Sequence, residues 1–99
     1  MNFEEIMQFA PQLFKIAHKY SISKIYVFGS IARGNSTPQS DVDFLVEIGQ
    51  GGTLFDAVGF GYEAEKLLGI SVDVVPLSTL SKVSDREFVI NIQKEAIAL

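Results

Sequence analysis

With 99 residues, 47% of them hydrophobic and none a cysteine, the chain is sized for one domain (1–99) and excludes disulfides, thiolate metal sites and cysteine nucleophiles. Eight basic residues stand against twelve acidic ones, a net charge of −4, which excludes an extended nucleic-acid surface because such surfaces work by neutralising phosphates. Charges break the apolar runs well short of the ~20 residues of a membrane span, and Met1-Asn2-Phe3-Glu4-Glu5 is acidic where a secretory leader is basic, so no membrane contact and a cytoplasmic location are expected.

Asn2, with Glu5 three residues on, predicts a capped helix carrying Phe3, Ile6, Met7 and Phe9. Pro11 opens a second helix, whose stripe Leu13, Phe14, Ile16, Ala17 and Tyr20 marks a buried face. Residues 24–28 read as the first strand, halted at Gly29-Ser30. One helical turn over 30–33 and a GNSTPQS loop follow. Residues 41–48 read as the second strand, closed by the turn Gly49-Gln50-Gly51-Gly52. Thr53 with Asp56 caps a helix that runs to Leu68 and stops at Gly69. Gly59 and Gly61 inside it each cost about 1 kcal/mol against alanine, which points to close packing there. Residues 70–75 form the third strand, stopped by Pro76, and a Ser84–Glu87 capping box starts a last helix over 85–98. This order predicts a small α/β (α+β) domain with a three-stranded sheet flanked by helices.

Three carboxylates interrupt apolar strands. Asp41 and Asp43 lie two apart on one strand and so share a face, while Val42 and Phe44 take the other; Asp73 sits between Val72 and Val74. At roughly 4 Å each like-charge pair costs about 4 kcal/mol at an effective dielectric of 20, so such a cluster needs a positive partner. An all-oxygen site prefers Mg²⁺ or Mn²⁺. Asp41 alone reads equally well as a turn residue facing water. For Asp43, followed by Phe44-Leu45-Val46, the metal reading is the stronger. Gly29-Ser30, where a strand turns into a helix, offers free backbone N–H groups and a hydroxyl to a phosphate. A phosphate cradle beside a two-metal carboxylate site suggests transfer from a nucleoside triphosphate.

Gly29-Ser30, ten residues, then Asp41-Val42-Asp43 resembles the G-S-x10-D-x-D signature of the polymerase-β-like nucleotidyltransferase superfamily. The string VFGSIARGNSTPQSDVDFLVE, with SVDVVP later and FVINIQKEAIAL at the end, is similar to its minimal nucleotidyltransferase (MNT) branch, over nearly the whole chain. The resemblance implies a small mixed sheet flanked by helices, with the active site at one sheet edge. It implies that Asp41 and Asp43 bind two Mg²⁺ ions, that Asp73 completes the nucleophile-side metal, and that Gly29 and Ser30 hold the β- and γ-phosphates of ATP, with Arg33 as a further phosphate contact. It also implies an antitoxin that adds AMP to a tyrosine of a HEPN-domain ribonuclease toxin.

Two other readings stay open: a protein that neutralises its partner by binding alone, and nucleotidyl transfer to a small molecule or RNA with a separate acceptor-binding subunit. The intact Gly29-Ser30 pair and the three aspartates favour the enzyme, since binding alone has no need of a triply charged cluster. His18, the sole histidine, reads as a solvent-facing helix residue, and Tyr20, Tyr26 and Tyr62 as packing residues. The apolar excess predicts a homo- or hetero-oligomeric interface on the first helix (Phe3, Ile6, Met7, Phe9) or on the helix bearing Phe55, Phe60 and Tyr62.

Overall fold

The computed structural model describes all 99 residues. Helices α1 (Phe3–Gln8) and α2 (Ala10–Lys19) precede strand β1 (Ile22–Phe28) and the short helix α3 (Gly29–Arg33). Strand β2 (Val42–Ile48), helix α4 (Leu54–Leu68) and strand β3 (Val72–Pro76) follow. Helices α5 (Leu77–Leu80) and α6 (Arg86–Glu95) and a two-residue strand β4 (Ile97–Ala98) complete the chain. The sheet order is β3-β2-β1-β4, with β2 and β3 parallel and the other pairs antiparallel.

The sheet is therefore four-stranded, not three-stranded as the sequence predicts. The last helix stops at Glu95, and Ala96 adopts an extended conformation. The residues beyond it pair with Tyr26 and Val27 of β1, and the Leu99 N–H donates to the Ile25 carbonyl at 3.0 Å. A two-residue strand has no alternation to read, but it satisfies backbone groups that the β1 edge would otherwise present. Other boundaries differ as well: β1 begins at Ile22 and not at Lys24, β2 begins at Val42 and leaves Asp41 just outside the strand, and β3 begins at Val72 and not at Ile70. α5 was not anticipated, and the cap of α6 is Asp85, which accepts from the Phe88 N–H at 3.1 Å, in place of the Ser84–Glu87 box. The remaining cap expectations hold. The Asn2–Glu5 box is closed in both directions, Pro11 sits in the first turn of α2, and the Thr53 N–H donates to Asp56 at 2.8 Å.

Period-two alternation puts Val42, Phe44 and Val46 of β2 on one face, packed with Ile6, Leu13, Ala17, Phe60 and Ala64 from α1, α2 and α4. The other face carries Leu45 and Phe28, covered by Leu80 and Ile92 from the α5–α6 side. Phe44 and Phe60 meet edge to face at 5.8 Å, which makes Phe60 core and not the interface residue expected of it. Ile6 is likewise fully buried and Phe3 and Phe9 pack against the same core, so of the four apolar residues expected on the first helix's interface only Met7, 41% exposed, stays outside it. Gly59 and Gly61 are close-packing positions, as their cost suggested. A Cβ on Gly59 would lie 2.3 Å from the Tyr20 ring, and one on Gly61 3.0 Å from Val74.

Candidate active site

β1, β2 and β3 bring their chemistry-bearing residues to one end of the sheet. Phe28, the last residue of β1, stands opposite Asp43, and Asp43 stands opposite Asp73. In-register neighbours on adjacent strands project to the same face, here the face toward α5 and α6. Two hydrogen bonds fix this end. The Val42 N–H donates to the Ser71 carbonyl at 3.0 Å, and the Val72 N–H donates to the Glu65 carboxylate at 2.9 Å. Asp41 precedes β2 and is exposed, Asp73 is exposed, and Asp43 is half-buried.

At Gly29 the chain turns from β1 into α3 with φ +75, in the left-handed region that disfavours any side chain. A Cβ there would lie 2.2 Å from Oδ2 of Asp43, so the turn closes directly on that carboxylate. Burial pushes the Asp43 carboxyl up to about 6, and the neighbouring charges of Asp73 and then Asp41 push the same way, while Arg33 opposes them. Gly29, Ser30, Arg33 and Asp43 line one cavity of about 510 Å³, together with Phe28, Phe88, Asn91, Ile92 and Glu95. Asp73 borders a second, more apolar cavity of about 540 Å³ between α4 and β3, lined among others by Leu54, Val58, Tyr62, Val74 and Thr79. The two in-register aspartates thus border different cavities, Asp43 the one on the α6 side and Asp73 the more apolar one at the β3 edge. His18 is exposed on α2 and lines neither.

Glu95 is the site residue that the sequence reading misses. Its Oε1 accepts from the Gly29 N–H at 3.0 Å and from Nη1 of Arg33 at 3.2 Å, and its Oε2 accepts from the same Nη1 at 3.1 Å. Arg33 is therefore committed to a carboxylate of its own chain. One signal was available: an acid in the last turn of a helix opposes the helix dipole and calls for a specific partner.

The donor set fits a hard divalent cation. Asp43 and Asp73 offer carboxylate oxygens in register and Asp41 lies two residues away, an all-oxygen combination suited to Mg²⁺ or Mn²⁺. No three acidic side chains stand close enough to enclose an ion by themselves, so a bound ion would complete its shell with oxygens from a phosphate ligand.

The sequence profile of the nucleotidyltransferase domain family matches residues 6–99. A protein of Methanocaldococcus jannaschii, MJ0435, named a protein adenylyltransferase, is 38% identical over 80 residues, covering 81% of this chain and 83% of that one. A solved minimal nucleotidyltransferase superposes with a TM-score of 0.79 at 30% identity, over 100% of this chain and 97% of the other. The fold is also shared with a Shewanella oneidensis complex of a tri-AMPylated HEPN toxin with an MNT antitoxin (TM-score 0.59, 16% identity, 89% of this chain and 66% of that one). Glycine at the end of β1, aspartates in register on β2 and β3, and a match over nearly the whole length agree: the chain belongs to the nucleotidyltransferase domain family, among its minimal nucleotidyltransferases.

Proposed function

We propose that this nucleotidyltransferase moves AMP from ATP to a tyrosine of a HEPN-type ribonuclease and thereby acts as its antitoxin in the cytoplasm. The observation that carries the reading is the closure of Gly29 on Asp43 with Asp73 in register beside it. That packing leaves backbone N–H and carboxylate oxygens side by side, as a metal-chelated triphosphate requires. The name of the Methanocaldococcus relative supports protein as the acceptor class, and the tri-AMPylated HEPN toxin seen with an MNT antitoxin supports AMP as the group and a HEPN protein as the partner.

In this reading Gly29 and Ser30 bind the triphosphate tail, and Asp41, Asp43 and Asp73 hold two Mg²⁺ ions. Those ions, when bound, neutralise phosphate charge and make the acceptor hydroxyl more acidic. The acceptor oxygen bonds to the α-phosphorus, the bond from that phosphorus to the β-phosphate oxygen breaks, and pyrophosphate leaves. The Asp73 carboxylate takes up the phenolic proton. Its position on the rim of the apolar cavity suits an aromatic acceptor held between α4 and β3.

The docking surface in this reading is α4. Leu54, Phe55, Val58 and Tyr62 are all more than half exposed there, with Phe55 at 86%. A docked hydroxyl is held in place rather than captured from solution, which supplies much of the rate.

The test is to incubate the chain with ATP, Mg²⁺ and a HEPN-type ribonuclease from the same genome, then map modified residues by mass spectrometry. AMP on a partner tyrosine, lost with Asp73→Asn, supports the reading. Neutralisation that survives replacement of all three aspartates, with no modified residue, would replace it with stoichiometric binding.

A further inference from the structure

Glu95 is held against two unfavourable fields. It ends α6, where the helix dipole presents negative charge, and it faces Asp43, whose ionisation it opposes. Its side chain is nonetheless only 19% exposed, and its partners are the Gly29 N–H and Arg33. A carboxylate that accepts from a backbone amide and a guanidinium satisfies the same donors that a phosphate would. Both donors and the acid line the cavity that Asp43 borders.

We propose that Glu95 is an internal competitor for the nucleotide: it fills the anion position formed by Gly29 and Arg33, and the triphosphate enters by displacing it. This inference deepens the preceding reading and rests on it, since it takes Gly29 as a phosphate contact and adds Arg33 to it. A ligand must recover the charge-assisted bonds that Glu95 gives up, which phosphate oxygens at the Gly29 N–H and Arg33 do. The apparent affinity is reduced by the fraction of molecules in which Glu95 has swung away. Releasing Glu95 also frees Arg33, so opening delivers a guanidinium to the bound phosphates.

The alternative role for the same contacts is to preorganise Arg33 and the Gly29 turn for the ligand, and it predicts the opposite sign. Removing an internal competitor tightens ligand binding, whereas removing a positioning residue weakens it. The experiment is calorimetric titration of the wild-type chain, Glu95→Gln and Glu95→Ala with two probes, inorganic tripolyphosphate and a non-hydrolysable ATP analogue, each with Mg²⁺. Both variants should bind both probes about tenfold more tightly, the gain expected if Glu95 is swung away in about one wild-type molecule in ten. Unchanged or weaker binding, with measurable binding by the wild type, overturns the proposal and leaves the nucleotide reading standing. Absence of binding by any of the three proteins overturns the nucleotide reading and this proposal together. Should the variants fail to fold, the Gly29 amide proton of the wild-type chain is followed by NMR during the tripolyphosphate titration. A shift that saturates with binding supports displacement, and an unmoved Gly29 resonance under saturating probe overturns it.

Discussion

Between its ordinary value of 3.8 and about 6, the Asp43 carboxyl keeps its proton in the folded chain and loses it in the unfolded one. The native state therefore binds more protons across that interval, and its stability falls as pH rises through it. Asn at position 43 removes that dependence. Asp43→Asn should melt about 4–8 °C higher than wild type at pH 7, corresponding to about 1 kcal/mol after allowance for solvent screening of a half-exposed group. The difference should vanish near pH 4, and melting curves at the two pH values check it. Gly29→Ala acts in the opposite sense. Its φ of +75 and the 2.2 Å approach to Asp43 predict strain of about 1–3 kcal/mol. A shifted turn should also lower nucleotidyl transfer by about 100-fold, the scale of a 1 Å misplacement, as measured by pyrophosphate release. Asp43 and Asp73 were legible in the sequence because a charge inside an apolar strand violates the alternation around it. Glu95 was not, because an acid in an amphipathic helix reads as solvated unless the fold brings Gly29, 66 residues away, onto it.

Among the elements, the C-terminal end of α2 locks onto α4 through Lys19 and the cap residue Tyr20. Tyr20 lies against Gly59 and donates its hydroxyl to Glu63, which also pairs with Lys19 at 2.8 Å. Gly59→Ala gains about 1 kcal/mol of helix propensity but forces the ring aside, an overpacking cost of about 1–3 kcal/mol, so a small net destabilisation is expected. In a Tyr20→Ala background the ring is gone and the same change should stabilise. A sign reversal in denaturant titrations of the four proteins is the check. The caps and glycine stops made the long helices readable, and period-two alternation made the strands readable. α5 and β4 were not readable. Four residues complete barely one helical turn, and two residues complete one alternation, so both depend on tertiary partners that no local pattern encodes. The one-residue shift from Ser84 to Asp85 at the α6 cap has the same origin, since both side chains are competent acceptors.

For the whole molecule, the sheet places the cavity at Gly29 and Asp43 toward α6 and the more apolar cavity toward α4, with Asp43 and Asp73 in register between them. None of its helices is long and apolar enough to cross a membrane. In the proposed function the protein acceptor docks on the uncovered α4 face. Phe55→Ala removes a side chain that is 86% exposed, so its melting should stay within about 0.5 kcal/mol of wild type. If Phe55 is an interface anchor, the affinity for the HEPN-like partner should fall about 30-fold, the factor that corresponds to a 2 kcal/mol hot spot, as read by surface plasmon resonance. In the proposed function the nucleotide's phosphates sit at Gly29 beside Asp43 and Asp73. A crystal structure with a non-hydrolysable ATP analogue and Mg²⁺ decides this. It should show phosphate oxygens on the Gly29 N–H, density for metal between those oxygens and the carboxylates of Asp43 and Asp73, and Glu95 turned away. A nucleotide seated elsewhere, with Glu95 still bonded to Gly29 and no metal on the aspartates, would contradict it.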